Sequence, residues 1–77
     1  MVNFDQELDL TGLNCPLPIL RTKKALATVE PGHIFRIITS DPGSLRDFEA
    51  FARLTSHELL ESSKDDGKYI FLLKRGE

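Results

Sequence analysis

Phe4-Asp5-Gln6-Glu7-Leu8-Asp9-Leu10-Thr11-Gly12-Leu13-Asn14-Cys15-Pro16-Leu17-Pro18 is the stretch in which one periodicity gives way to another. Phe4, Gln6, Leu8 and Leu10 alternate with Asp5, Glu7 and Asp9, the period-2 pattern of a strand with one face in the core and one in water. A helical period takes over after Cys15. Proline at the first helical position sacrifices no hydrogen bond, so Pro16 reads as that position and Cys15 as the residue capping the helix. The helix should run to about Val29, with Pro18, Ile19, Thr22, Ala25, Leu26 and Val29 on its inner face. Leu17, Leu20, Arg21 and Lys24 then fall on the other side, two large apolar residues beside two cations. Glu30-Pro31-Gly32 ends the helix.

Downstream, His33 to Thr39 holds Ile34, Phe35, Ile37 and Ile38, too apolar and β-branched for an edge, and predicts a central strand. Asp41-Pro42 repeats the device of cap then proline, opening a second helix through about Leu54 with Leu45, Phe48, Ala52 and Thr55 facing inward. His57 to Lys64 and Lys68 to Arg75 read as an antiparallel hairpin, because Asp65-Asp66-Gly67 suits a tight turn requiring positive φ. The predicted fold is an α/β (α+β) two-layer sandwich of order β-α-β-α-β-β. Two helices cannot cover both faces of a four-stranded mixed sheet, so both should pack on one face and leave the other wet, populated by Arg36, Glu58 and the strand acids.

Seventy-seven residues suit one domain, 1–77, whose stability should be of order 4–11 kcal/mol. A lone cysteine can form no internal disulfide and no all-cysteine metal cage, which points to a reducing cytoplasm. Met1-Val2-Asn3-Phe4-Asp5 lacks the basic and apolar regions of a signal peptide, and no membrane span is expected. The net charge of -2 argues against a nucleic-acid binder working by counterion release.

Free cysteine is often simply a small buried residue. Location favours an exposed, functional thiol here, because helix starts at strand ends form the ligand-facing rim of α/β folds. Pro16 and Pro18 stiffen that turn, leaving the amides of Leu17 and Ile19 free near the sulfur. The helix dipole alone is too weak to ionise most of the thiol at neutral pH. Neither His33 nor His57 is expected beside it as a base, and no metal-ligand spacing or cofactor motif is present. What a single accessible thiol can do is carry a group, such as a persulfide. Asp41 could approach Cys15 if the two helix starts share a sheet edge, although an N-cap role is the simpler expectation; Arg46 and Asp47 are open to the same two kinds of reading, with a solvated pair the simpler.

Leu10-Thr11-Gly12-Leu13-Asn14-Cys15-Pro16-Leu17-Pro18, Pro31-Gly32 before a strand, Asp41-Pro42 with Arg46-Asp47, and His57-Glu58-Leu59 together resemble the TusA/SirA family of small sulfur carriers, over essentially the whole chain. The resemblance implies that Cys15 receives sulfane sulfur as a persulfide from a cysteine desulfurase or rhodanese and relays it to an acceptor protein. Acceptors in the family serve tRNA thiolation, sulfur oxidation or molybdenum-cofactor pathways. Gly12, Pro16 and Pro18 would shape the turn. Docking would fall to Leu17, Leu20, Arg21, Lys24, Asp41 and Arg46, with no cofactor, no metal, no direct nucleic-acid contact and no membrane. Three positions depart from the family pattern: Leu17 where an acidic or polar residue is frequent, Thr11 ahead of Gly12, and Phe51-Ala52-Arg53 where some members have a second cysteine. A regulatory or protein-binding module using the same rim without sulfur transfer is the competing reading. RNA binding on the open sheet face is disfavoured by the acidic first strand and the single tyrosine.

Overall fold

The computed structural model describes residues 3–77; Met1 and Val2, part of the stretch read as lacking a leader, lie outside the described residues. Six elements follow one another: β1 Gln6–Leu10, α1 Leu17–Leu26, β2 Ile34–Thr39, α2 Ser44–Leu54, β3 Glu58–Asp65 and β4 Lys68–Lys74. They build one mixed sheet in the order β1-β2-β4-β3. β1 and β2 run parallel, with Leu8 opposite Ile37 and Leu10 opposite Thr39. β2 and β4 run antiparallel, with Phe35 opposite Leu73 and Ile37 opposite Phe71. The apolar run Ile34–Ile38 therefore occupies a central strand, as its composition requires.

Alternation along β2 and β4 sends Phe35, Ile37, Phe71 and Leu73 to one face, where they form a single cluster with Leu26 of α1 and Phe48 and Phe51 of α2. Both helices thus lie on that face. Phe48 stacks on Phe71 with ring centroids 4.5 Å apart, which locks α2 onto the centre of the sheet. The β3–β4 turn places Asp66 and Gly67 at φ +50° and +77°, the pair of left-handed residues that a two-residue hairpin needs.

Several boundaries and faces differ from expectation. Phe4 and Gln6 are exposed, because β1 joins the sheet only at Gln6 and the core cluster reaches no farther than Leu8 and Leu10. α1 ends at Leu26 rather than Val29; Thr28 and Val29 donate to carbonyls three residues back, tightening the chain into a turn ahead of Pro31. α2 starts at Ser44, not at Pro42, with Gly43 as its cap residue. Its buried stripe is Ser44, Phe48 and Phe51; Leu45 is exposed, Ala52 half-buried and Thr55 exposed. Rotating the helix in this sense directs the largest side chain of its second half, Phe51, onto the ring of His57. The open face carries the expected Arg36, which pairs with Glu7, and the expected Glu58, which lies opposite Lys74. It is less wet than expected, since Leu72 is buried there and Ile34, Ile38 and Ile70 are half-buried.

Candidate functional site

Parallel pairing of β1 with β2 brings the two strands' carboxyl ends side by side, so the turns that follow them meet. Gly12, at φ +84°, donates its N–H to Ser40 Oγ at 2.8 Å, a conformation that a Cβ would strain. Three residues on, the Cys15 N–H donates to Asp41 Oδ2 at 3.0 Å. Asp41 is therefore not the helix cap that its place before Pro42 suggested. Its carboxylate clamps the cysteine loop, reaching the Gly43 N–H only at 3.4 Å, while its carbonyl accepts from Ser44 N–H.

The loop itself also departs from the predicted helix start. The Cys15–Pro16 peptide is cis, and Leu17 N–H donates to Asn14 O at 2.8 Å, closing a turn over residues 14–17. Pro16 is consequently the cap residue, its carbonyl accepting from Leu20 N–H, and α1 begins one residue later than expected. Cys15 stands one position outside the helix. The Leu17 amide, expected to be free beside the sulfur, is spent on the turn; Pro18, buried in the first helical turn, has none to offer.

Cys15 is exposed and unpaired, at the meeting point of two open hollows. The larger, of about 390 Å³, is lined by Cys15, Pro42, Gly43, Leu45, Arg46, Asp47 and Glu49. The smaller, of about 270 Å³, has Pro16, Ile19, Ala50 and Phe51 around Cys15 and Asp47. Instead of the mild dipole lowering expected at a helix start, the thiol's pKa is raised. Hydrogen bonding to the Asp47 carboxylate comes first among the causes, followed by partial desolvation and the negative charges of Asp47 and Asp41. These groups hold the resting thiol further toward its protonated form. Asp47, read from the sequence as half of a solvated pair with Arg46, is half-buried and is not ion-paired to it.

Of the residues singled out from the sequence, the fold gathers Gly12, Cys15, Pro16, Asp41 and Arg46 at one edge. Leu17, Leu20, Arg21 and Lys24 are exposed, but they lie on the outward side of α1 and line neither hollow; Leu17 and Leu20 keep 45% and 50% of their surface in solvent. Neither histidine borders the thiol's hollows. His33 packs on Phe35, and His57 stacks on Phe51 while its Nδ1 accepts the Gly76 N–H at 2.9 Å. Burial and then the Arg75 charge hold His57 below its ordinary pKa. Among the described residues no three His, Cys, Asp or Glu side chains converge on a metal position, and no helix is long and apolar enough to cross a membrane. Ser40 and Phe51 are site residues that the sequence reading missed, and Asp47 was left there as a solvated residue by default. A signal existed for Asp47 alone, as an acid in the first turn of a helix that starts beside the thiol.

These features define a small two-layer α/β sandwich that displays a single thiol at the turn after its first strand. A family model described as Sulfurtransferase TusA matches residues 6–75, and the chain belongs to the TusA family. It is 55% identical over 75 residues to the sulfur carrier protein TusA of Allochromatium vinosum, covering 97% of this chain and 99% of that one. A putative sulfur carrier protein of Neisseria meningitidis is 48% identical over 90% of this chain and 93% of its own length. The crystal structure of a SirA-like protein from Desulfitobacterium hafniense superposes with a TM-score of 0.80 at 28% identity, covering 95% of this chain and 100% of that chain.

Proposed function

We propose that this single-domain protein is a sulfur carrier whose Cys15 takes up sulfane sulfur as a persulfide and hands it on. The supporting observation is the chain's lone thiol, exposed between two open hollows on a loop clamped by Asp41. The names of the relatives, sulfur carrier proteins, point the same way. In loading, the Cys15 thiolate attacks the outer sulfur of a donor's cysteine persulfide; the new S–S bond forms as the donor's breaks, and the donor leaves as a thiolate that takes up the proton. Unloading is the same exchange with Cys15 as leaving group. Neither step consumes an oxidant or reductant.

The donor would be a cysteine desulfurase or rhodanese, and the acceptor a protein of tRNA thiolation, sulfur oxidation or molybdenum-cofactor synthesis. A reducing cytoplasm suits a thiol that must stay free between exchanges. The exposed Leu17, Leu20, Arg21 and Lys24 offer a docking face beside the loop. Incubation with a cysteine desulfurase and cysteine should add one sulfur, about 32 Da, to Cys15 in the mass spectrum. Absence of the adduct, or its persistence in Cys15→Ser, would sink the proposal.

A further inference from the structure

Cys15 and Asp47 are the two residues that border both hollows, so whatever enters either hollow to reach the sulfur passes the Asp47 carboxylate. Asp41 holds the loop through the Cys15 N–H. Neither acid takes part in an ion pair, for the ion pair among the described residues is Arg36–Glu7, on the far face of the sheet. The other charged groups facing the thiol are Arg46 and Glu49, both on α2 and both bordering only the larger hollow. The cysteine loop and α1 contribute Pro16 and Ile19, neither of which titrates.

We propose that Asp47 is a positioning residue that guards the sulfur: its carboxylate, backed by Asp41, opposes negative charge on Cys15 until a partner brings a cationic group into the hollow. The inference rests on the carrier reading for its purpose. Both halves of the exchange place thiolate character on Cys15, as nucleophile during loading and as leaving group during unloading. A carboxylate beside that sulfur therefore slows uptake by stray electrophiles and release to stray thiols alike. A persulfide extends the side chain by one S–S bond of about 2.05 Å, which keeps Cys15 Sγ, the atom on which charge develops, beside Asp47 in the loaded state too. The raised pKa of the resting thiol accords with this arrangement. The partner's complementary chemistry is a lysine or arginine that pairs with Asp47 as the two sulfurs come into line, so that Cys15 becomes reactive only in the docked complex.

The test needs no sulfur donor. The rate of Cys15 alkylation by iodoacetamide is followed against pH for the native protein, Asp47→Asn, the charge-retaining Asp47→Glu, and Glu61→Gln on the opposite sheet face, each with its fold checked by circular dichroism. Asp47→Asn should react several-fold faster at pH 7, with its profile displaced to lower pH, while Asp47→Glu and Glu61→Gln follow the native profile. An Asp47→Asn profile at or above the native midpoint overturns the guard. In a second arm at low ionic strength, tetralysine should accelerate alkylation of the native protein and act more weakly on Asp47→Asn; no acceleration, or equal acceleration of both, overturns the cationic-partner half. Failure of a desulfurase to load Cys15 would remove the carrier reading and leave these pH profiles standing, so the two failures are distinguishable.

Discussion

Replacing Phe51 with leucine probes the joint between the core and the site. Phe51 is only 8% exposed, stacks on His57 with centroids 5.5 Å apart, and carries Lys23 Nζ at 6.0 Å from its ring centre. One side of it borders the smaller hollow at Cys15, and the other borders a hollow lined by Lys23, His57 and Arg75. Leucine keeps the site apolar but removes the aromatic pair, worth about 0.5–1.5 kcal/mol. A near-volume hydrophobic exchange adds up to about 1.5 kcal/mol of packing loss. The expected total of about 0.5–3 kcal/mol is, at its upper end, a large share of the roughly 4–11 kcal/mol available to a chain of this length. In a domain of this size it corresponds to a fall in Tm of about 2–24 °C. Urea unfolding at pH 7.5 measures the loss, and NMR titration of the His57 ring provides a second readout. Because burial is the first cause of the depressed His57 pKa, thinning its cover should move that pKa back toward 6.5. A stability loss below about 0.5 kcal/mol together with an unmoved His57 would refute the packing assigned to Phe51.

His57 also sets a pH dependence. Its pKa is lower in the folded state than its ordinary value of 6.5, so the unfolded chain takes the proton first; stability should begin to fall as pH drops through 6.5 and stop falling below the folded-state pKa. The urea midpoint should therefore be lower at pH 5.5 than at pH 7.5, with the difference reduced in His57→Gln; an undiminished difference in the variant would assign the effect elsewhere. Leu20→Glu should leave stability within about 0.5 kcal/mol, since half of that side chain is already in solvent. If the proposed docking face is the one used, it should weaken binding to a cysteine desulfurase, read as a higher Kd by calorimetry, and an unchanged Kd would remove Leu20 from that proposed face.

The order of elements was legible because it rests on local rules. Alternation along β1, the β-branched run of β2 and the Asp66-Gly67 turn each carry their own signature within a few residues. The thiol's exposure was legible for a similar reason, as it follows from a strand-to-helix junction marked by two prolines. The helix starts were not. Proline after a capping residue is compatible with a helix opening at once or after a turn, and the choice at residues 14–17 and 41–44 depends on where the Leu17 and Ser44 amides find acceptors. The inward face of α2 was equally open, because a helical wheel through Phe48 accepts Leu45 or Phe51 as its neighbour, and only the position of His57 and α1 decides between them.

From the sequence alone came a two-layer β-α-β-α-β-β sandwich with one thiol on its rim, since periodicity, turn chemistry and a cysteine count require nothing distant. The charge around that thiol belongs to the tertiary structure. Asp41 and Asp47 stand 26 and 32 residues beyond Cys15 along the chain, and parallel pairing of β1 with β2 is what carries them to the sulfur. Electrostatic interactions fall with distance through space rather than along the chain. The helix dipole at Cys15 could be read locally and suggested only a mild lowering that leaves most of the thiol protonated, whereas the two acids that raise its pKa instead become visible only once the fold has assembled them.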